Sequence, residues 1–273
     1  MDGIEIIKGT TNQNIIFVAP YGYKAEKENM VDWAWLAAML ANKLHCNAVI
    51  NNGYRKPKKE INEHSNIQLK RVDLDNLSQY DNTALYDRFI DPIIEQANQA
   101  IDNNQNCYIF HIHPVPDEMM KAIDNKLSIL LGVGLGAKEK KGRPKDFLSA
   151  PKEYVDKFVN NLAQAELLAR TTRHQDYAAR GNYCLNQLFK RYLNPREDVY
   201  SVQLNIRNSD CYGENLSVLV DKLASAIADA TDAVTYEPVE SSVTSVSGET
   251  ELAKAISFII DTYQSAAQEA MLK

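Results

Sequence analysis

Two histidines at the end of one apolar segment are the first candidates for chemistry. His111 and His113 lie in the run 107–113, and Pro114 follows directly. A short apolar run that stops at a proline is typical of a buried strand followed by a loop. We expect the two histidines to point to opposite faces of the sheet, so that only one of them faces a crevice. His113, at the carboxyl end, is the preferred ligand or catalytic group, and a satisfied core histidine is the alternative for each.

The loop after an earlier apolar run, 14–20, supplies polar groups of a different kind. It begins at Tyr21 and contains Tyr23 and Glu26. A carboxylate such as that of Glu26 can bind a metal ion, and the two phenols can donate hydrogen bonds. A solvated turn is the alternative interpretation of a polar loop with a single glutamate.

An arginine lies just beyond the apolar run 46–51. The guanidinium of Arg55 can bind a carboxylate through two parallel hydrogen bonds, which suits an anionic small molecule. A surface arginine in a loop is the alternative.

Three glycines, Gly132, Gly134 and Gly136, follow another apolar run. They lack the complete dinucleotide-binding fingerprint and a helix start at the right place. The sequence contains neither a Gly-x-Ser-x-Gly elbow nor a Walker lysine loop, which disfavours serine hydrolases and P-loop nucleotide hydrolases.

Apolar runs that alternate with helical segments must position these candidates. Buried strands are predicted at 14–20, 46–51, 107–113, 127–133 and 199–206, and helices at 31–44, 84–101, 152–168, 182–192 and 216–230. This alternation predicts a layered α/β domain with a mainly parallel sheet covered by helices. Ligands bind beyond the carboxyl ends of the strands in such sheets, so we expect function in the loops there, including the segments 52–79 and 138–145.

The composition changes near the carboxyl end of the chain. We expect an α/β domain over 1–232 and an appendage over 233–273, made of a small-residue connector and a helix at 249–271. The apolar stripe of that helix consists of Leu252, Ala255, Ile256, Ile259, Ile260 and Tyr263. The stripe is predicted either to pack back on the domain or to mediate homo-oligomerisation.

Composition disfavours several classes of partner. With 30 Lys+Arg against 36 Asp+Glu, the formal net charge of -6 provides no general attraction for nucleic acid or anionic lipid. The four cysteines lie far apart, which predicts buried thiols rather than a zinc knuckle or a disulfide framework. There is no basic and apolar leader pattern and no apolar run near the roughly 20 residues that span a bilayer, so we expect a cytoplasmic protein without membrane contact.

These segments, in this order, resemble those of the N-formylglutamate amidohydrolase family, whose fold is similar to that of zinc-dependent carboxypeptidases. The matching stretches are 15–26 with Asp32 and Leu36-Ala37, then 51–55 with 72–75, then 109–113, and then 202–207. They span most of the residues from 14 to 230. The resemblance implies a phosphorylase/hydrolase-like α/β/α fold, with zinc as the cofactor.

The resemblance also assigns roles to individual residues. Glu26 and His113 match two of the family's three zinc ligands, whereas Tyr21 stands at the position of the third, a histidine. Asn51 and Arg55 match the family's asparagine and arginine, which look suited to holding a substrate carboxylate. Asn205 stands where the family carries a glutamate that resembles the general base. An amide cannot take a proton from zinc-bound water, and Tyr21 could ligate zinc only as a phenolate.

Two functions follow from this resemblance. The first is a divergent metal-dependent hydrolase of an N-acyl amino acid or a small peptide amide bond, with Tyr21 and His111 as further substrate-binding residues. It requires a replacement base and a replacement ligand, such as His111 after a strand distortion. The second is a non-catalytic homologue that lacks the zinc centre and binds a small carboxylate ligand or a protein partner.

Overall fold

The computed structural model describes residues 3–21, 33–54, 73–75, 83–136, 148–181, 184–192, 198–211 and 214–234. The strands in these residues are β1 (Ile4–Ile7), β2 (Asn12–Ala19), β3 (Cys46–Asn51), β4 (Cys107–Val115), β5 (Ile129–Gly132), β6 (Ala169–Thr171) and β7 (Val199–Arg207). The helices are α1 (Trp33–Leu44), α2 (Thr83–Asp102), α3 (Asp117–Ile123), α4 (Lys152–Gln164), α5 (Leu185–Tyr192) and α6 (Glu214–Thr231). A 3-10 turn, Asn208–Cys211, follows β7.

The strands form one mixed sheet in the order β1-β3-β2-β4-β7-β5-β6. The central strands β3, β2, β4 and β7 run parallel, while β1 is antiparallel to β3 and β5 is antiparallel to β7. The central strands are covered on both faces, which is why residues 15–19 and 46–51 are continuous buried runs rather than alternating ones. The predicted layered α/β class with a mainly parallel, mixed sheet is confirmed.

Two hydrophobic cores lie on opposite faces of the sheet. Helices α1, α4 and α6 cover one face, and α2 and α5 cover the other. In β4, Phe110 and Ile112 belong to the first core, whereas Cys107 and Ile109 belong to the second. The odd-numbered side chains of β4 therefore point towards α2 and α5, and we call this side the α2/α5 face.

Differences from the predicted elements have local causes. The helix predicted to reach residue 168 ends at Gln164, because Glu166 adopts a φ of 59°, a left-handed conformation that stops a helix. Strands β1 and β6 were not predicted, because they are short strands at the two edges of the sheet. Helix α3 was also missed, although Asp117 and Glu118 in its first turn are typical of a helix start.

The glycine string is explained by close packing and turn geometry. A Cβ at Gly132 would lie 2.4 Å from the carbonyl oxygen of Tyr177. Gly134 and Gly136 have φ values of 85° and 79°, which favour glycine. The backbone alone therefore accounts for this pattern, without a nucleotide.

The prediction of buried thiols holds for three of the four cysteines. Cys46, Cys107 and Cys211 are buried, and burial raises the pKa of each thiol above its usual range. Cys184 is partly exposed, and its Sγ donates to the carbonyl oxygen of Gly181 at 3.1 Å. All four are free thiols.

The chain divides into the units Met1–Thr235 and Tyr236–Lys273, and all the elements above lie in the first. The predicted connector, the helix at 249–271 and the loop at 138–145 lie outside the described residues. In the part of the chain that the structure describes, no helix is long and apolar enough to cross a membrane.

Candidate functional site

The carboxyl ends of β3, β2, β4 and β7 meet at one edge of the sheet, because these strands are parallel. His113 is the strand partner of Asn205 across β4 and β7. Asn51 is the last residue of β3, and Tyr21 follows the end of β2 by one proline. The structure therefore brings these residues to one edge, which we call the candidate site.

Tyr21, His113 and Asp75 form the polar centre of the candidate site. The rings of Tyr21 and His113 pack edge to face, with centroids 4.9 Å apart and an interplanar angle of 87°. The Tyr21 hydroxyl donates to Asp75 Oδ2 at 3.4 Å, and Asp75 Oδ1 lies 3.7 Å from His113 Nε2. A carboxylate and an imidazole therefore face each other at the end of β4.

The environment of Tyr21 keeps its hydroxyl protonated. Burial raises the pKa of Tyr21 well above its usual range, and the negative charge of Asp75 raises it further. A neutral phenol is a hydrogen-bond donor and a poor metal ligand. Tyr21 is therefore a hydrogen-bond donor to Asp75 in this environment.

Asn51 uses its side-chain amide to fix the backbone around the end of β3. Its Nδ2 donates to the carbonyl oxygens of Pro20 and Tyr54, each at 2.8 Å. Its Oδ1 accepts from the N–H groups of Gly53 at 3.1 Å and Tyr54 at 2.8 Å. These bonds join the loop after β2 to the turn that leads to position 55. The side-chain amide of Asn51 therefore positions the backbone of both segments. The predicted contact of Asn51 with substrate stays a prediction.

Asn205 is fully buried, and backbone carbonyl groups engage both of its amide hydrogens. Its Nδ2 donates to the carbonyl oxygens of Leu130 and Tyr177, each at 2.9 Å. Its Oδ1 accepts from Gln203 Nε2 at 2.6 Å. A glutamate carboxylate at this position would face two carbonyl oxygens and could donate to neither, so this pocket is built for an amide.

His111 lies on the same face of the sheet as His113, so the expectation of opposite faces is wrong. Residues two apart in a strand share a face, and β4 pairs with β7 without a shift of register. The strand distortion that would make His111 a replacement ligand is therefore not present. His111 is fully buried and stacks on Phe189, with centroids 5.7 Å apart. Its predicted contact with substrate is not seen and stays a prediction.

Hydrogen bonds define the protonation of His111. Ser201 Oγ donates to Asn186 Oδ1 at 2.6 Å, so it accepts from the Nε2–H of His111 at 2.8 Å. Asn186 Nδ2 donates in turn to Ser149 Oγ at 2.7 Å. Burial lowers the pKa of His111 to about 3, so the ring is neutral over the ordinary pH range.

Two predicted site residues, Glu26 and Arg55, lie outside the described residues. Asp75 was not among the predicted site residues, although the stretch 72–75 carries part of the family resemblance. Its turn is visible in sequence as two aspartates flanking a leucine, and the N–H of Asp75 donates to Asp73 Oδ1 at 3.1 Å. Only the fold, however, brings Asp75 next to His113.

The fit of zinc can be tested on this polar centre. An imidazole nitrogen and a carboxylate oxygen are ordinary zinc ligands, and two ligands of one tetrahedral zinc ion lie about 3.4 Å apart. The 3.7 Å between His113 Nε2 and Asp75 Oδ1 is close to that separation, so these two residues fit a shared ion. Within the described residues, no group of three or more histidine, cysteine, aspartate or glutamate side chains could hold a metal ion.

Solved structures resemble this chain at low sequence identity. The gene product Atu2144 of Agrobacterium tumefaciens has a TM-score of 0.55 and 13% identity, and the match covers 84% of this chain and 95% of that one. N-formylglutamate amidohydrolase from Ralstonia eutropha JMP134 has a TM-score of 0.51 and 12% identity, covering 85% of this chain and 99% of that one. A bacteriophage poly-gamma-glutamate hydrolase has a TM-score of 0.40 and 11% identity, covering 83% and 89%.

No protein-family profile and no curated protein matches the chain. At identities this low, the likeness establishes the fold alone. The chain therefore has an α/β fold similar to that of the solved N-formylglutamate amidohydrolase.

Proposed function

We propose that this chain is a divergent metal-dependent amidohydrolase that cleaves the amide bond of an N-acyl amino acid or a small peptide. The observation that carries the proposal is the 3.7 Å approach of His113 Nε2 to Asp75 Oδ1. The pair lies at the carboxyl ends of parallel strands, where open α/β sheets bind their ligands. Asp75 would be the metal ligand that replaces the histidine that the resemblance implies at position 21.

Each residue of the polar centre has a distinct role in this proposal. His113 and Asp75 hold the ion, with Glu26 as the further ligand that the family resemblance implies. Tyr21 donates to Asp75 Oδ2 and so keeps Oδ1 turned towards His113, as outer hydrogen bonds commonly orient metal ligands. Zinc, when bound, would polarise the scissile carbonyl group and lower the pKa of a water molecule.

Substrate recognition is assigned to the turn after β3. Arg55 is proposed to bind the carboxylate of the substrate through two parallel hydrogen bonds. Asn51 supports Arg55 by fixing the backbone of Gly53 and Tyr54, the two residues immediately before Arg55. Asn51 is therefore a positioning residue in this proposal.

Asn205 favours a second function, that of a non-catalytic homologue that binds a small carboxylate ligand or a protein partner. The side chain of Asn205 is an amide, which is not basic enough to take a proton from water, and both of its amide hydrogens are bound to carbonyl groups. The position that carries the family's base is thus closed to proton transfer. The two functions differ in metal content and in turnover.

The deciding experiment measures bound zinc per chain by elemental analysis, on protein purified without chelator or metal-binding tag. His113→Ala and Asp75→Asn are compared with the control variants His45→Asn and Asp229→Asn, which replace a histidine and an aspartate at exposed positions outside the candidate site. Hydrolysis of a panel of N-formyl and N-acetyl amino acids is followed on the same samples.

About one zinc ion per chain, lost in the His113 and Asp75 variants but kept in the controls, would support the metal centre. Turnover of a panel member that depends on the same two residues would support the amidohydrolase. Absence of zinc after zinc addition, together with absence of turnover, would refute it and favour the non-catalytic homologue.

A further inference from the structure

We propose that Asn205 is a positioning residue that holds the segment 172–181 beside His113, where this segment forms one wall of the candidate site. The inference rests on the proposed function in one respect, since it takes this edge of the sheet as the ligand-binding edge. The attachment of the segment 172–181 to Asn205 requires neither a metal ion nor turnover.

The side-chain amide of Asn205 joins separate parts of the fold. Its Nδ2 bridges the carbonyl oxygen of Leu130 in β5 and that of Tyr177, each at 2.9 Å. Because His113 is the strand partner of Asn205, the amide holds Tyr177 one strand away from the polar centre. Asn205, at the position where the resemblance implies a general base, therefore holds Tyr177 in place in this chain.

A second attachment lies beside the first. The N–H of Gly134 donates to the carbonyl oxygen of Ala178 at 2.7 Å. A Cβ at Gly132 would lie 2.4 Å from the carbonyl oxygen of Tyr177, so the segment packs directly on the backbone of β5. Tyr177 thus contacts the sheet through a hydrogen bond to Asn205 and through close packing on Gly132.

The segment 172–181 also has an internal structure of its own. The N–H groups of Tyr177 and Ala178 both donate to the carbonyl oxygen of His174, at 3.2 and 2.9 Å. The rings of His174 and Tyr177 stack with centroids 5.0 Å apart. A segment with local bonds of this kind can open as a unit when its attachments to the sheet are lost.

The two hydrogen bonds that Asn205 donates require a side-chain amide. Two carbonyl oxygens accept from Asn205, and only a side chain with two N–H donors satisfies both. An aspartate carboxylate has the same shape but offers no donor and is repelled by both oxygens. Asn205→Asp therefore tests the hydrogen bonds at almost constant volume, and Gly132→Ala tests the packing by an independent, steric route.

Hydrogen exchange measured by mass spectrometry on the full chain reports on the segment without using activity. Asn205→Asp and Gly132→Ala are compared with the wild type and with Asn47→Asp. Asn47 is the matched control because it is a buried asparagine whose amide fixes Gly9 and Gln13 at the opposite edge of the sheet.

We expect exchange in 172–181 to accelerate about tenfold or more in both variants and to stay at the wild-type rate in Asn47→Asp. Unchanged exchange in 172–181 in both variants would overturn the proposal. Equal acceleration in every segment of the chain would also overturn it, because Asn205 would then stabilise the whole sheet. Zinc content and turnover play no part in this readout, so it is distinct from the test of the proposed function.

Discussion

Replacing His111 should remove a defined part of the acid sensitivity of this fold. His111 is fully buried, and its neutral ring donates to Ser201 and stacks on Phe189. His111→Asn removes the titrating group but keeps a side-chain N–H donor, whereas His111→Phe keeps the aromatic stacking. The two variants change different contacts and share only the loss of titration.

The magnitude follows from the pKa of His111, which burial lowers to about 3 from an ordinary value of 6.5. Because the folded chain favours the neutral ring, the stabilisation is fully present above about pH 6.5 and is lost as the pH falls towards about 3. Between about pH 7.5 and pH 5, this single group should lower the free energy of unfolding by about 2 kcal/mol.

Urea unfolding of the wild type and both His111 variants at those two pH values measures the effect. The wild type should lose about 2 kcal/mol more than either variant on acidification, whatever the absolute stability of each variant. His45→Asn is the control, since it replaces an exposed histidine at a φ of 50°, a conformation that asparagine accepts. An equal loss in the wild type and both His111 variants would refute the assignment of a buried, neutral His111.

Three further predictions concern the candidate site. Tyr21→Phe removes the hydrogen bond to Asp75 and should weaken zinc binding about tenfold in a zinc titration, and an unchanged affinity would contradict the orienting role of the phenol. Asn51→Ala removes the amide that bonds Pro20, Gly53 and Tyr54, and should lower the free energy of unfolding in urea by about 2 kcal/mol, whereas a loss below about 0.5 kcal/mol would be inconsistent with that network. Asn205→Glu introduces the residue that the resemblance implies at this position, but it should not raise the rate of hydrolysis of N-acyl amino acids above that of the wild type in the zinc-supplemented assay, and a higher rate would show that this pocket accepts a base.

The central elements of the fold could be predicted because parallel strands that are buried on both faces leave a direct mark in the sequence. The run that became β2 is continuous and apolar at 15–19, the runs that became β3, β4 and β7 are rich in apolar residues, and the helices between them show a regular apolar spacing. The short edge strands β1 and β6 carry too few residues to show a pattern. The end of α4 depends on the backbone of Glu166, which no composition rule identifies.

The candidate site was predicted only in part, for a physical reason. Tyr21 and His113 could be found because each follows or ends a buried strand, and parallel strands bring those positions together. Asp75 lies far from both in sequence and is brought to them by the fold. The roles of Asn51 and Asn205 depend on backbone carbonyl groups from other strands and loops, so the amides could be noted in sequence but their partners could not.

The pairing of His113 with Asp75 is tested most directly by calorimetric titration of zinc into the metal-free full chain, beside Asp75→Asn and the control Asp229→Asn, which changes an exposed aspartate outside the candidate site. The proposed centre predicts one zinc site per chain in the wild type and in Asp229→Asn, and binding at least about tenfold weaker in Asp75→Asn. Zinc binding of equal strength in all three proteins, or in none of them, would contradict a metal centre built on His113 and Asp75.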